Sequence, residues 1–158
     1  MVPAVAKANP KTAVITTTPG AILTPWRDAV QAVTTAFMPG QEYGNALAEI
    51  LFGDVSPSAK LPITYPKVEN EVGFTPSQWP GVDLTATYSE KLAVGYRWYH
   101  ANNVTPAFAF GHGLTYSSFS MGDLAVSRTS VSVKVTNTGA VLATETPQLY
   151  LTFPFSAG

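Results

Sequence analysis

Hydrophobic and polar positions follow two textures along this chain: short apolar runs separated by helix-like spacing in the first part, and strict two-residue alternation near the end. Val2 to Asn9 reads as a helix stopped by Pro10, and the β-branched run Thr12 to Thr17 predicts a buried strand. Pro19-Gly20 marks a turn. Thr24-Pro25 offers an N-cap followed by proline at the first helical position, which predicts a short helix over Trp26 to Ala29. Ala32 to Met38 is a second strand-like run that closes on Pro39-Gly40. Tyr43-Gly44-Asn45 then caps a predicted helix from Ala46 to Phe52, with Leu47, Ile50 and Leu51 on one face and Gly53 at the C′ position. Lys60 to Tyr65 gives a third short strand. This β-α-β spacing predicts an α/β fold with a mostly parallel sheet covered by helices.

Pro66 to Tyr88 is punctuated by prolines and lacks periodicity, so it reads as a long ordered loop anchored by Trp79. Loops of this length are functional or pack over another domain. Leu92 to Tyr99 predicts one more strand, and Phe108 to Tyr116 gathers aromatic side chains around Gly111 and Gly113. Past a boundary near Ser117-Ser118 the texture changes. Val131, Val133 and Val135 alternate with Ser132, Lys134 and Thr136, Asn137-Thr138-Gly139 supplies a turn, and Gln148 to Phe153 alternates again. That pattern belongs to an antiparallel sandwich, which needs about seven strands and roughly 100 residues, whereas only about 40 follow the boundary. The expectation is a chain cut at both ends, with an apolar face and a strand edge left uncovered.

Composition narrows the chemistry. Of 158 residues 46% are hydrophobic and 12% charged, with a net charge of -1, enough apolar content for a core and too little charge for a disordered chain. The balance of nine basic and ten acidic side chains offers no cationic field for nucleic acid or anionic membranes. The absence of cysteine excludes disulfides, thiol nucleophiles and zinc-thiolate sites. No apolar run reaches the roughly 20 residues of a membrane helix, and Met1 to Lys7 lacks the basic-then-apolar order of a signal peptide. Neither a Gly-x-Ser-x-Gly elbow nor a phosphate-cradling glycine loop is present. No cofactor and no metal are expected.

Six motifs occur in one order: Pro39-Gly-Gln-Glu-Tyr-Gly-Asn-Ala-Leu47, Leu51-Phe-Gly-Asp-Val-Ser-Pro-Ser-Ala-Lys-Leu-Pro62, Tyr88-Ser-Glu90, Val94-Gly-Tyr-Arg-Trp-Tyr99, Phe110-Gly-His-Gly-Leu-Thr-Tyr116 and Val135-Thr-Asn-Thr-Gly139. Together they resemble the C-terminal half of glycoside hydrolase family 3, the β-glucosidase-like enzymes, from Pro19 onward. The resemblance implies that residues 1–116 are the last part of an α/β sandwich domain and 117–158 the first strands of a fibronectin type III-like domain. It also implies a parent that is a retaining exo-glycosidase releasing terminal β-D-glucosyl residues, acting on a β-glucoside or oligosaccharide. In the family the nucleophilic aspartate lies on a barrel domain and the acid/base glutamate upstream of the segment matching Pro39 to Leu47, so neither has a counterpart in this sequence. The implied partner is that barrel, with self-association as the other way of covering the apolar surface. The resemblance leaves the compartment open, with secretion or a periplasmic location as options for the parent.

Retention requires two carboxyl groups roughly 5 to 5.5 Å apart. Among the carboxylates inside these motifs Glu42 and Glu90 are the catalytic candidates, and Asp54, following Gly53, reads as a turn cap. Against catalysis, Glu42 stands where an acid accepts N–H bonds at a helix start, and Glu90 precedes Arg97, an internal ion-pair partner. Trp79 and Trp98 offer flat faces for a sugar ring, with core or interdomain packing as the alternative. His112, between two glycines, is positioned to line a pocket or to serve as a hydrogen-bonded structural residue, whereas His100 is expected in an exposed turn. Three functions therefore compete: part of a β-glucosidase supplying scaffold and pocket wall, a non-catalytic carbohydrate-binding or assembly module packing on a separate barrel subunit, and hydrolysis by Glu42 and Glu90 themselves.

Overall fold

The computed structural model describes residues 1–152, which form two compact units. The first unit comprises Met1–Tyr43 and Leu61–His112, and the second comprises Gly44–Lys60 together with the chain from Gly113 onward.

In the first unit, helix α1 (Val2–Ala8) carries Pro3 in its first turn and buries Ala6. Strand β1 (Ala13–Thr16) runs parallel to β2 (Ala32–Thr35) in the register Ala13↔Ala32 to Thr16↔Thr35. Between them Arg27–Ala29 forms one 3₁₀ turn rather than a helix begun at Thr24. The Thr24 side chain, 1% exposed, caps nothing, and its carbonyl instead accepts from Arg27 N–H. The third predicted strand, Lys60 to Tyr65, does not join this sheet. Leu61 N–H donates to His112 C=O and Gly111 N–H to Leu61 C=O, while Tyr65 exchanges bonds with Phe108 and Ala107, so the segment pairs antiparallel to residues 107–112. Pro62 has no N–H to give, which reduces a strand to isolated bridges.

Leu92 to Tyr99, predicted as a strand, is a turn followed by helix α3 (Tyr96–Ala101). Gly95 precedes the helix with φ at 55°, a left-handed conformation incompatible with an extended strand. Once past it, Tyr99 N–H bonds to Gly95 C=O, and the Asn102 amide donates to Trp98 C=O at the other end.

The second unit contains helix α2, which begins at Tyr43 and ends at Phe52, close to its predicted range, with Gly53 at φ 86° taking the left-handed C′ position. Gly113 packs so tightly against Ala59 that a Cβ there would overlap its carbonyl oxygen. Around this approach Lys60 Nζ donates to Gly113 C=O and pairs with Glu145, both at 2.8 Å. Ser56 Oγ meets Thr115 Oγ1 at 2.8 Å and accepts from Tyr116 N–H, and the Tyr116 hydroxyl donates to Ile50 C=O of α2. Strands β3 (Phe119–Val126) and β4 (Val131–Asn137) follow as an antiparallel pair with an irregularity between Gly122 and Ala125. The alternation in Val131 to Thr136 thus marks a real strand, but residues 148–152 of the predicted Gln148 to Phe153 strand are not extended into any sheet, and Phe153 lies outside the described residues.

Packing is sparse. Among the described residues only Ala6, Tyr65 and Tyr99 are buried apolar side chains, and the 11819 Å² of exposed surface compares with about 7,700 Å² expected for a monomer of this mass. Ordering here rests on hydrogen bonds and a few close approaches rather than on one large core. Gly113→Ala is accordingly expected to lower stability by about 1 to 3 kcal/mol through overpacking, while Gly40→Ala, with open space at its Cβ, leaves the denaturation midpoint within experimental scatter. Urea titration followed by circular dichroism reads both.

Candidate functional site

The first unit holds a cleft of about 360 Å³ lined by Thr64, Tyr96, Tyr99, His100, Asn103, Val104, Thr105, Pro106, Ala109 and Phe110. Helix α3 supplies one wall because Tyr96, Tyr99 and His100 recur at helical spacing and so share a face, and Asn103 follows just beyond the helix end. The opposite wall, 104–110, is held by its pairing with Tyr65. Tyr65, 3% exposed, meets the Phe108 ring edge-on at 6.0 Å and reaches Thr35 of β2 with its hydroxyl. Tyr96 and Phe110 lie ring to ring at 4.9 Å, with the Arg97 guanidinium 5.4 Å from the Tyr96 ring. Tyr99 donates its hydroxyl to Glu71 at 2.8 Å, and burial followed by that neighbouring carboxylate pushes its phenol well above the ordinary tyrosine range. It therefore stays a neutral donor near neutral pH.

The cleft carries aromatic surface, hydroxyls, an amide and an imidazole, and its lining contains no aspartate or glutamate. Such a lining can orient a neutral polar ligand or a covering segment. It contains no carboxyl pair of the kind retention requires.

The sequence candidates are dispersed around the cleft rather than gathered in it. Glu42 is exposed and immediately precedes α2. Glu90 accepts from Gln78 Nε2 at 2.9 Å, and this bond, aided by its own backbone, holds the carboxyl below the ordinary glutamate value. The expected Glu90–Arg97 ion pair is absent, since Arg97 sits over Tyr96 instead. Trp79 does not anchor its loop: the side chain is 73% exposed. Trp98 is half-buried, edge-on to Tyr99 at 5.3 Å. His112 contributes its backbone to the pairing with Leu61 and its ring lies 5.6 Å from Phe108, whereas His100 lines the cleft. Tyr96 and Tyr99 were visible in the sequence as aromatic faces able to stack on a sugar, whereas His100, expected in an exposed turn, and Asn103 were missed because the segment before them reads as a strand. Among the described residues no three metal-capable side chains cluster.

These features define an α/β unit with an aromatic cleft free of carboxylates. Residues 1–116 match the Glycosyl hydrolase family 3 C-terminal domain, and the chain belongs to that family. It is 40% identical to a β-glucosidase of Rhizobium radiobacter over 98% of this chain, and 38% identical to thermostable β-glucosidase B of Acetivibrio thermocellus over 96%. The crystal structure of DesR, a β-glucosidase from Streptomyces venezuelae in complex with D-glucose, superimposes with a TM-score of 0.83 at 45% identity, covering 87% of this chain and 19% of that one. The chain spans about a fifth of the length of the curated relatives it matches, 20% and 21% for the first two.

In the second unit, the Lys60 hydrogen bond, then the Thr146 N–H, lowers the Glu145 carboxyl below its usual value of 4.5. A carboxyl lowered in the folded state stabilises above its unfolded value, and that contribution disappears as pH falls through the lower folded value. Glu145→Gln is therefore expected to be less stable than the parent near neutrality and to lose less of its stability on acidification below about pH 4.5. Thermal midpoints measured from pH 7 to pH 3 test this, and parallel curves for the two proteins would refute it.

Proposed function

We propose that this chain forms the C-terminal α/β part of a family 3 β-glucosidase, an enzyme that releases terminal β-D-glucosyl residues from β-glucosides or oligosaccharides with retention. The chain supplies scaffold and pocket wall, and the nucleophile and acid/base reside elsewhere on the same polypeptide. One observation carries this reading: relatives named β-glucosidases align along nearly the whole chain, yet the chain amounts to a fifth of each. The carboxyl-free cleft agrees with it.

Residues 1–116 are assigned to the α/β sandwich domain, the span over which the family match runs. Residues 117–158 are assigned to the opening of a fibronectin type III-like domain. In support, β3 and β4 are antiparallel and expose Met121, Leu124, Val126, Val133 and Val135, apolar positions that a second sheet would cover. Glu42 acts at the start of α2 and Glu90 through Gln78, both as structural carboxylates. Trp98 and His112 act as packing residues beside the cleft rather than as sugar contacts.

A chimera in which this chain replaces the matching fifth of the R. radiobacter β-glucosidase tests the assignment. The chimera is expected to hydrolyse a chromogenic β-glucoside, the isolated chain to have no measurable turnover, and Glu42→Gln and Glu90→Gln to retain kcat within about tenfold. Loss of a general acid or base costs roughly 10² to 10⁴-fold, so a drop of that size in either variant would make it catalytic and overturn the reading. Saturable glucose or cellobiose binding by an inactive chimera would establish the carbohydrate-binding module instead.

A further inference from the structure

The loop from Thr75 to Leu92 is inside out. Its interior is polar and closed by hydrogen bonds: Thr75 N–H and Oγ1 donate to Gln78 Oε1, Thr75 Oγ1 also meets Ser77 Oγ at 3.0 Å, and Gln78 Nε2 donates to Glu90. Backbone bonds from Trp79 and Gln78 to Thr75, from Thr87 to Ser77, and the paired Val82 and Thr85 bonds complete it. Its apolar side chains point the other way. Trp79 is 73% exposed, Tyr88 76%, Leu92 76%, and Leu84 fully exposed. Leu84 also sits at φ 62°, beside Asp83 at 49°, so a bulky residue is held at the tip of a left-handed turn where asparagine or glycine would be easier. The loop thus spends none of its large apolar groups on its own folding.

We infer that this lobe is the surface through which the chain docks onto the portion of its parent enzyme lying outside these residues, inserting Leu84 and Tyr88 into an apolar face rimmed by basic side chains or hydrogen-bond donors. The inference rests on the proposed β-glucosidase reading, in which about four-fifths of the polypeptide lies outside this chain. Charge argues for that occupant over a second copy. From Asn70 to Glu90 the chain carries Glu71, Asp83 and Glu90 and no lysine, arginine or histidine, and Lys91 is the one cation of the lobe, so two copies meeting tip to tip would bring Asp83 against Asp83. A sugar fits less well. Orienting hydroxyls needs free polar groups beside the rings, and Thr75, Ser77, Gln78 and Glu90 are already committed to one another. Buried Trp and Tyr anchors are the side chains that dominate protein interfaces.

The test places Leu84→Asp with Tyr88→Ser in both the isolated chain and the R. radiobacter chimera. Both side chains are exposed, and aspartate tolerates the left-handed turn better than leucine, so the isolated chain is expected to keep its thermal midpoint. In the chimera the double variant is expected to cut active soluble enzyme at least about tenfold, as removal of interface anchors does. An active chimera indifferent to the substitutions would overturn the docking inference, while inactivity of the unsubstituted chimera would instead defeat the β-glucosidase reading beneath it. Sedimentation equilibrium showing a dimer of the isolated chain that the double variant dissociates would assign the lobe to self-association. A saturable change in tryptophan fluorescence with glucose or cellobiose, lost in the variant, would assign it to sugar. Either result refutes the inference.

Discussion

The first unit depends on Tyr65. Its backbone pairs with Phe108 and Ala107, its ring packs edge-on against Phe108, and its hydroxyl reaches Thr35 in the parallel strand pair. Bringing Leu61–Tyr65 to residues 107–112 closes a loop of about 40 residues, at an entropic cost of about 3 kcal/mol beyond a constant. A buried aromatic of this size and several backbone bonds offset that cost, by roughly 1.5 to 3 kcal/mol for the side chain alone. Everything that makes the cleft follows from this closure: Thr64 adjoins Tyr65, the 104–110 wall is its partner, and α3 is positioned by the segment running back to that wall.

Where local chemistry decides conformation, the sequence was readable. Pro10 and Gly53 end helices, the β-branched residues of Thr12 to Thr17 form β1, and the valines of Val131 to Val135 form β4. Two of the misread strands have one reason each. Lys60 to Tyr65 is extended but pairs with a segment some 45 residues away through a proline-interrupted ladder, a partner no local pattern specifies. Leu92 to Tyr99 has the aromatic and β-branched composition of a strand, and the single left-handed Gly95 converts it to a helix. The family motifs contain residues with tight local roles: Gly113 against Ala59, and the Ser56 hydroxyl meeting Thr115 and accepting from Tyr116 N–H.

The candidate site was legible in kind and not in place. Aromatic side chains with a histidine and few charges were visible as a sugar-facing or packing surface, but the choice among them turns on which face of a six-residue helix looks inward. The prominent tryptophan, Trp79, is solvent-facing, and the less conspicuous Tyr99 is the buried residue with a specific partner. Side-chain size alone therefore misleads in a chain whose apolar groups exceed what its own interior can take.

Both units are assembled from segments that are not adjacent in the chain, and this constrains the order of events during synthesis. Gly44–Lys60 leaves the ribosome well before Gly113, so Lys60 and Ser56 have no partners until some 50 residues later. At elongation speeds of about 5–20 residues per second, α2 waits on the order of 3 to 13 s for the Tyr116 hydroxyl that bonds Ile50 C=O. The same delay makes the Lys60–Glu145 contact a late event, one that reports completion of the unit rather than its nucleation.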